Sequence, residues 1–176
     1  MNGFIHFVLG GSRSGKSRRA ESLANASGQA VAYIATYAVD PEDAEMRLRV
    51  ERHQQQRPEH WVTIENRFDL RTIVRERKDV LFLLDCLTLW LSFHLTKGGS
   101  SEQILKELEE TLLLIRELER SFIVVSNEVG SGIVPLTAEG RAFSDLCGFA
   151  NQLVAAHATT VELIVAGLPL VLKGGA

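Results

Sequence analysis

The chain has 176 residues, 45% hydrophobic and 23% charged, with a formal net charge of −3. That length and balance predict one globular domain over 1–176 with a core of its own. The slightly acidic charge excludes a nucleic-acid binder that works through bulk positive charge, and no run of ~18 apolar residues is present to span a membrane.

The first element is an apolar run at residues 4–9, which reads as a buried strand. It feeds straight into Gly10-Gly11-Ser12-Arg13-Ser14-Gly15-Lys16-Ser17, so it is a strand and not a signal peptide. The run fits G-x-x-x-x-G-K-[ST] in full, and a helical pattern follows at 17–26. Strand, loop and helix in that order separate a phosphate-binding loop from a Gly/Ser turn with a stray lysine. Glycines let the backbone fold tightly so that several N–H groups converge on one anion. The helix adds its positive N-terminal end. Lys16 is placed to reach the β- and γ-phosphates, and the Ser17 hydroxyl to sit on Mg²⁺.

A second strand is predicted at 30–35, followed by Thr36 and Tyr37. Residues 40–65 then carry a helical stretch bracketed by Pro41 and Pro58. On it Met46, Val50 and His53 share a face, among Arg47, Arg49, Arg52 and Arg57. Neighbouring arginines disfavour protonation of a histidine, and a neutral ring nitrogen can attack phosphorus. The residues alone leave two readings open: a nucleophile, or a solvated basic helix with an incidental histidine.

The next strand, at 80–84, ends in Asp85, the position of a magnesium-binding acid in P-loop proteins. Residues 101–120 form the clearest helix, with Ile104, Leu105, Leu108, Leu112, Ile115 and Leu118 on one stripe that serves core or subunit interface. A strand at 122–126 precedes Asn127, Glu128, Gly130 and Gly132. Asn127 and Glu128 read either as contacts to substrate, metal or a moving proton, or as a polar turn. Both glycines are expected to meet backbone needs first.

A helix at 138–157, a strand at 161–165 and a short strand at 170–172 complete the chain. Apolar strands alternating with helices predict an α/β fold: a mostly parallel sheet covered on both faces, with ligands beyond the carboxyl ends of its strands. His6 reads as a core or sheet-edge residue, and His60 as ordering a strand start. His94 and His157 suit helix C-termini. Cys86 and Cys147 are far apart with no Cys-x-x-Cys, which predicts neither a zinc site nor a disulfide and favours a cytoplasmic setting.

Taken together these residues resemble the bifunctional adenosylcobinamide kinase/adenosylcobinamide-phosphate guanylyltransferase family. The carriers are Gly10 to Arg18 with Ala20 and Glu21, then Tyr33-Ile34-Ala35-Thr36 and Arg49 to His53. They continue through Arg57-Pro58, Trp61, Thr63, Glu65 and Asp85-Cys86-Leu87-Thr88. The run Asn127-Glu128-Val129-Gly130-Ser131-Gly132-Ile133-Val134-Pro135 follows, then Arg141, Phe143, Asp145, Gly148, Asn151 and Gln152. The P-loop alone is common to many NTPases. The histidine segment with Arg-Pro and Trp, joined to Asn-Glu-Val-Gly-x-Gly-Ile-Val-Pro, is far more specific.

The resemblance implies a P-loop NTPase with a RecA-like sheet, commonly a trimer. It implies that ATP or GTP phosphorylates adenosylcobinamide, and that GMP from GTP then passes to adenosylcobinamide phosphate, giving adenosylcobinamide-GDP. The second reaction would run through a GMP–histidine intermediate at His53, with Lys16 in the phosphate cradle. The family's nucleotide site maps onto Gly10, Gly11, Ser12, Arg13, Ser14, Gly15, Lys16, Ser17, Ala35, Thr36, Tyr37, Gln54, Gln55, Gln56, Arg57, Glu65 and Asp85, with Ser17 and Asp85 on Mg²⁺. Arg13 and Arg57 would neutralise phosphates. Glu65 is a chemically sensible reader of guanine. Tyr37 stands where a small residue is frequent, Gln54-Gln55-Gln56 is less basic than usual, and Thr159-Thr160-Val161-Glu162 replaces a more usual acidic residue. Two other readings share the P-loop: a small-molecule kinase without guanylyl transfer, and a regulatory ATPase acting on a macromolecule.

Overall fold

The computed structural model describes residues 3–37 and 57–174. The helix expected between Pro41 and Pro58 lies outside them, and with it His53, Gln54, Gln55 and Gln56.

Seven strands form one sheet: β1 Ile5–Gly10, β2 Ala30–Ala35, β3 Val62–Glu65, β4 Val80–Asp85, β5 Ser121–Asn127, β6 Thr160–Val165 and β7 Leu168–Lys173. Their order is β3-β2-β4-β5-β1-β6-β7. All neighbouring pairs are parallel except β6 with β7. The described helices are α1 Lys16–Ala26, α2 Leu70–Glu76, α3 Leu87–Thr96, α4 Ser101–Glu117 and α5 Ala138–His157.

The strands read as unbroken apolar runs because both faces are covered. Phe82 and Leu84 of β4 enter one core with Phe7, Phe122 and Val124, under α2 to α5. Leu81 and Leu83 point the other way, to Val8, Ile123, Val125 and to Ala20 and Ala24 of α1. The predicted stripe of α4 is core: Ile104, Leu108, Leu112 and Ile115 are buried, and Leu105 and Leu118 pack against them. A capping box between Ser100 and Gln103 starts this helix.

Two readings are resolved. A strand does begin just after His60, and it is β3, which has only Ile64 buried and is formed by pairing with β2. Of the two readings of His6, core or sheet edge, the first holds, since β1 lies between β5 and β6. Its Nε2 stands 3.6 Å from Glu162. Glu162 is buried and accepts two 2.8 Å hydrogen bonds from Arg19, so a charged fork ties α1 to β6.

Candidate active site

The parallel strands deliver their carboxyl ends to one rim, and the polar loops gather there. Gly10 closes β1, and Lys16 opens α1. A Cβ on Gly10 would lie 2.5 Å from Ser14 Oγ and 2.8 Å from the Ile164 carbonyl, so no side chain fits. Arg13 and Gly15 take left-handed backbone, with φ 58° and 95°. The Ser14 N–H donates to the Gly11 carbonyl at 3.2 Å, and the Gly167 N–H of the β6–β7 turn braces the Ser14 carbonyl at 2.9 Å. Lys16 is buried, and its Nζ donates to the Gly11 carbonyl at 3.1 Å. A lysine held under a glycine-bent loop at a helix N-terminus is a phosphate cradle by geometry as well as by sequence. Ser12 and Arg13 are exposed above it, and Ser17 is half-buried in the first turn of α1.

Register sets the next group. Ala35 stands beside Glu65 on one side and Asp85 on the other. Gly10 stands beside Asn127. Glu65 is exposed on the edge strand, four strand spacings or roughly 19 Å from Gly10. It therefore lies at the far end of the rim from the phosphate cradle.

Asp85 accepts from the buried Tyr33 hydroxyl at 2.8 Å. The Arg57 guanidinium lies 3.7 Å over the Tyr33 ring. Burial first, and the Asp85 charge second, push the Glu21 carboxyl up to about 7, while Arg57 draws it down. Burial and then Asp85 also raise the Tyr33 hydroxyl well above its usual range. Three atoms of this group, Glu21 Oε1, Arg57 Nε and Arg57 Nη1, are buried without a hydrogen-bond partner. Two carboxylates sharing one neighbourhood suit a hard cation. Mg²⁺ takes one or two protein carboxylates and completes its shell with phosphate and water oxygens. Among the described residues no group of three or more His, Cys, Asp or Glu could hold a metal by itself. Ser17 and Asp85 have the right donor chemistry for it.

Thr36 does something the sequence did not suggest. It is buried; its Oγ1 donates to the Cys86 carbonyl and accepts from the Cys86 N–H, both at 2.7 Å. It fastens β2 to the end of β4 and so holds Asp85 in place. Tyr37 is half-buried next to it. Beyond β5, the Glu128 N–H donates to the Gly10 carbonyl at 3.1 Å. Its Oε1 accepts from the Gly130 N–H at 2.8 Å. The expectation is corrected for Gly132, which lacks left-handed backbone and where a Cβ would meet nothing within 4 Å. At Gly130 a Cβ would lie 3.1 Å from Glu128 Oε1, a close approach that favours glycine.

Sequence reasoning gave no role to Glu21, Tyr33 or Asn151. A signal for Glu21 existed, since it follows Ser17 by one helical turn. None existed for Tyr33, whose partner is 52 positions away in the chain. Asn151 donates from Nδ2 to the Asn127 carbonyl at 3.2 Å and so pins α5 to the strand end.

Comparison with known proteins points the same way. Residues 6–172 match the family described as cobinamide kinase / cobinamide phosphate guanyltransferase. The chain is 43% identical over 169 residues to the bifunctional adenosylcobalamin biosynthesis protein CobP of Pseudomonas aeruginosa, covering 95% of this chain and 96% of that one. It is 36% identical over 180 residues to the corresponding protein CobU of Escherichia coli, covering 94% and 98%. Among solved structures, the KaiC-like protein of Pyrococcus horikoshii aligns with a TM-score of 0.50 at 13% identity, over 92% of this chain and 71% of that one. That likeness concerns the fold alone, an α/β P-loop fold of the RecA-like kind.

Proposed function

The chain belongs to the cobinamide kinase/cobinamide phosphate guanyltransferase family, and from that premise we propose that it is a transferase carrying both activities. The observation that carries the reading is the buried Lys16 under a loop where Gly10 admits no side chain, across the rim from Asp85.

In the kinase step the donor's β- and γ-phosphates lie on the N–H groups of residues 10–17 and on Lys16. The hydroxyl oxygen of adenosylcobinamide attacks the γ-phosphorus and releases its proton. The bond from that phosphorus to the β–γ bridging oxygen breaks, and the nucleoside diphosphate leaves. Ser17 and Asp85 would hold Mg²⁺, which would supply neutralisation of phosphate charge. Tyr33 orients the Asp85 carboxylate.

In the second activity a ring nitrogen of His53 attacks the α-phosphorus of GTP, and pyrophosphate leaves. A phosphate oxygen of adenosylcobinamide phosphate then displaces the histidine and yields adenosylcobinamide-GDP. Splitting the transfer in two lets each step use a good leaving group. Gln54, Gln55, Gln56 and Arg57 flank the histidine. Ala35 and Tyr37 line the nucleoside between the cradle and Glu65, with the backbone of Thr36 between them and its buried hydroxyl on Cys86, and Arg13 meets the phosphates. On this reading the assembly is a homotrimer in the cytoplasm, as the resemblance and the cysteine usage imply. Among the described residues no helix is long and apolar enough to cross a membrane.

Incubation with Mg²⁺ and either α-³²P or γ-³²P GTP tests the reading. The expected result is acid-labile label from the α-position alone, absent in His53→Ala. Absence of α-label in the native protein removes the guanylyltransferase half and leaves a kinase.

A further inference from the structure

One cleft among the described residues is lined by none of the residues assigned above to the nucleotide. It is a groove of about 410 Å³ between the loop that follows β5 and the outer face of α5, within the usual size of ligand sites. Its loop is tied at both ends. Glu128 Oε1 accepts from the Gly130 N–H, and Arg141 Nη1 donates to the carbonyls of Pro135 and Leu136 at 3.1 and 2.9 Å. Yet Ile133 and Leu136 on this fixed loop are 95% and 96% exposed. Large apolar side chains held out in water on a braced loop mark a binding surface.

Gly148 sits inside α5 and lines the groove. A glycine within a helix is unfavourable relative to alanine, and a Cβ here would meet nothing within 4 Å. Packing therefore gives no reason for glycine at this position. Close approach of a ligand does.

The position and the lining choose the ligand. The groove's loop follows Glu128, whose N–H donates to the Gly10 carbonyl at the start of the P-loop, so that loop leaves the same rim of strand ends as the phosphate cradle. The groove's lining is apolar at Val134, Pro135 and Phe149 and polar at Arg141, Ser144, Asp145 and Gln152. That mixture of apolar floor with donors and acceptors fits a large flat macrocycle edged with methyls and neutral carboxamides.

We propose that this groove is the acceptor subsite, taking one edge of the corrinoid ring with Gly148 at its point of closest approach. The proposal rests on the function proposed above.

The test is equilibrium dialysis of cobinamide, together with acceptor and GTP KM values, for Gly148→Ala, Ile133→Ser and the control Leu113→Ser on the exposed side of α4. The expected result is a tenfold or greater loss of cobinamide affinity and a matching rise in acceptor KM in the first two. GTP KM stays as in the native protein, and Leu113→Ser changes nothing. Gly148→Ala should also melt no lower than the native protein, which a merely structural role for the glycine would not give. Unchanged cobinamide binding in both groove variants overturns the proposal. If instead the particle mass in light scattering falls, the groove is a contact between copies, and the proposal is overturned in that direction. If the native protein binds cobinamide but forms no α-label from GTP, the two-activity reading fails while the subsite stands. If it binds none, the subsite fails.

Discussion

The Tyr33 hydroxyl donates to Asp85 Oδ2 at 2.8 Å, across two adjacent parallel strands whose register sets Tyr33 two residues before the partner of Asp85. A buried aromatic ring thus fixes the direction of the acid proposed to hold Mg²⁺. Tyr33→Phe keeps the ring, its place under Arg57 and nearly all of its packing. We expect a stability loss of about 1 kcal/mol, because the partly exposed Asp85 can be rehydrated. The apparent Mg²⁺ requirement of the kinase reaction should rise several-fold. A magnesium titration of initial rates checks this, and an unchanged requirement would show that Asp85 needs no orientation.

Gly10→Ala should abolish nucleotide binding with little loss of overall fold. The added methyl meets the Ile164 carbonyl, a backbone atom of the neighbouring strand, at 2.8 Å. The cradle must shift to relieve it. Calorimetric titration with GTP is expected to show at least a hundredfold weaker binding, while far-ultraviolet circular dichroism stays native.

Glu21 makes stability depend on pH in a defined direction. Its folded pKa, about 7, lies above its ordinary 4.5, so the folded state holds more protons than the unfolded state between those values. Stability then falls as pH rises from 4.5 to 7 and is flat above, the reverse of a salt-bridged acid. Solvent screening leaves an effect on the order of 1–2 kcal/mol. Urea unfolding at a series of pH values, without nucleotide or metal, should show this slope in the native protein and lose it in Glu21→Gln.

The Arg19–Glu162 fork should matter to stability and not to chemistry. Arg19→Met leaves the buried Glu162 with only His6 nearby at 3.6 Å. We expect a loss of about 2 kcal/mol, less than for a fully buried pair because Arg19 is partly exposed. The double variant Arg19→Met with Glu162→Leu should recover most of it. Denaturant midpoints measure both, and equal losses in single and double variants would show that the pair does not act as a unit.

Glu65 tests the choice of base. A carboxylate can accept from both N1–H and the 2-amino group of guanine, and adenine offers no such pair. Glu65→Gln should therefore raise the KM for GTP about tenfold and leave that for ATP near its native value. Equal losses would remove Glu65 from base recognition.

The resemblance motifs and the order of elements were legible because each depends on local chemistry. A phosphate loop needs its glycines and lysine in a short run. Buried parallel strands such as β4 and β5 are apolar on both faces and stand out as runs. β3 was legible only as a strand start after His60, since an edge strand with one buried residue owes its form to its neighbour. The Ala166-Gly167 turn, with φ 51° and 83°, joins β6 to an antiparallel β7. The sequence marked β7 only as a short last strand and left its direction unstated.

By itself, then, the sequence determined the phosphate cradle, the alternation of strands and helices, and the family. These are written in contiguous residues. Only the tertiary structure decided that Tyr33 orients Asp85, that Thr36 clasps Cys86, that Glu21 shares its neighbourhood with Asp85 and Arg57, and that Glu128 bonds the Gly10 carbonyl where the loop of the groove begins. The physical reason is one of distance. Each of these joins residues that lie far apart in the chain, and only sheet register and helix packing bring them within a hydrogen bond or a charge of one another.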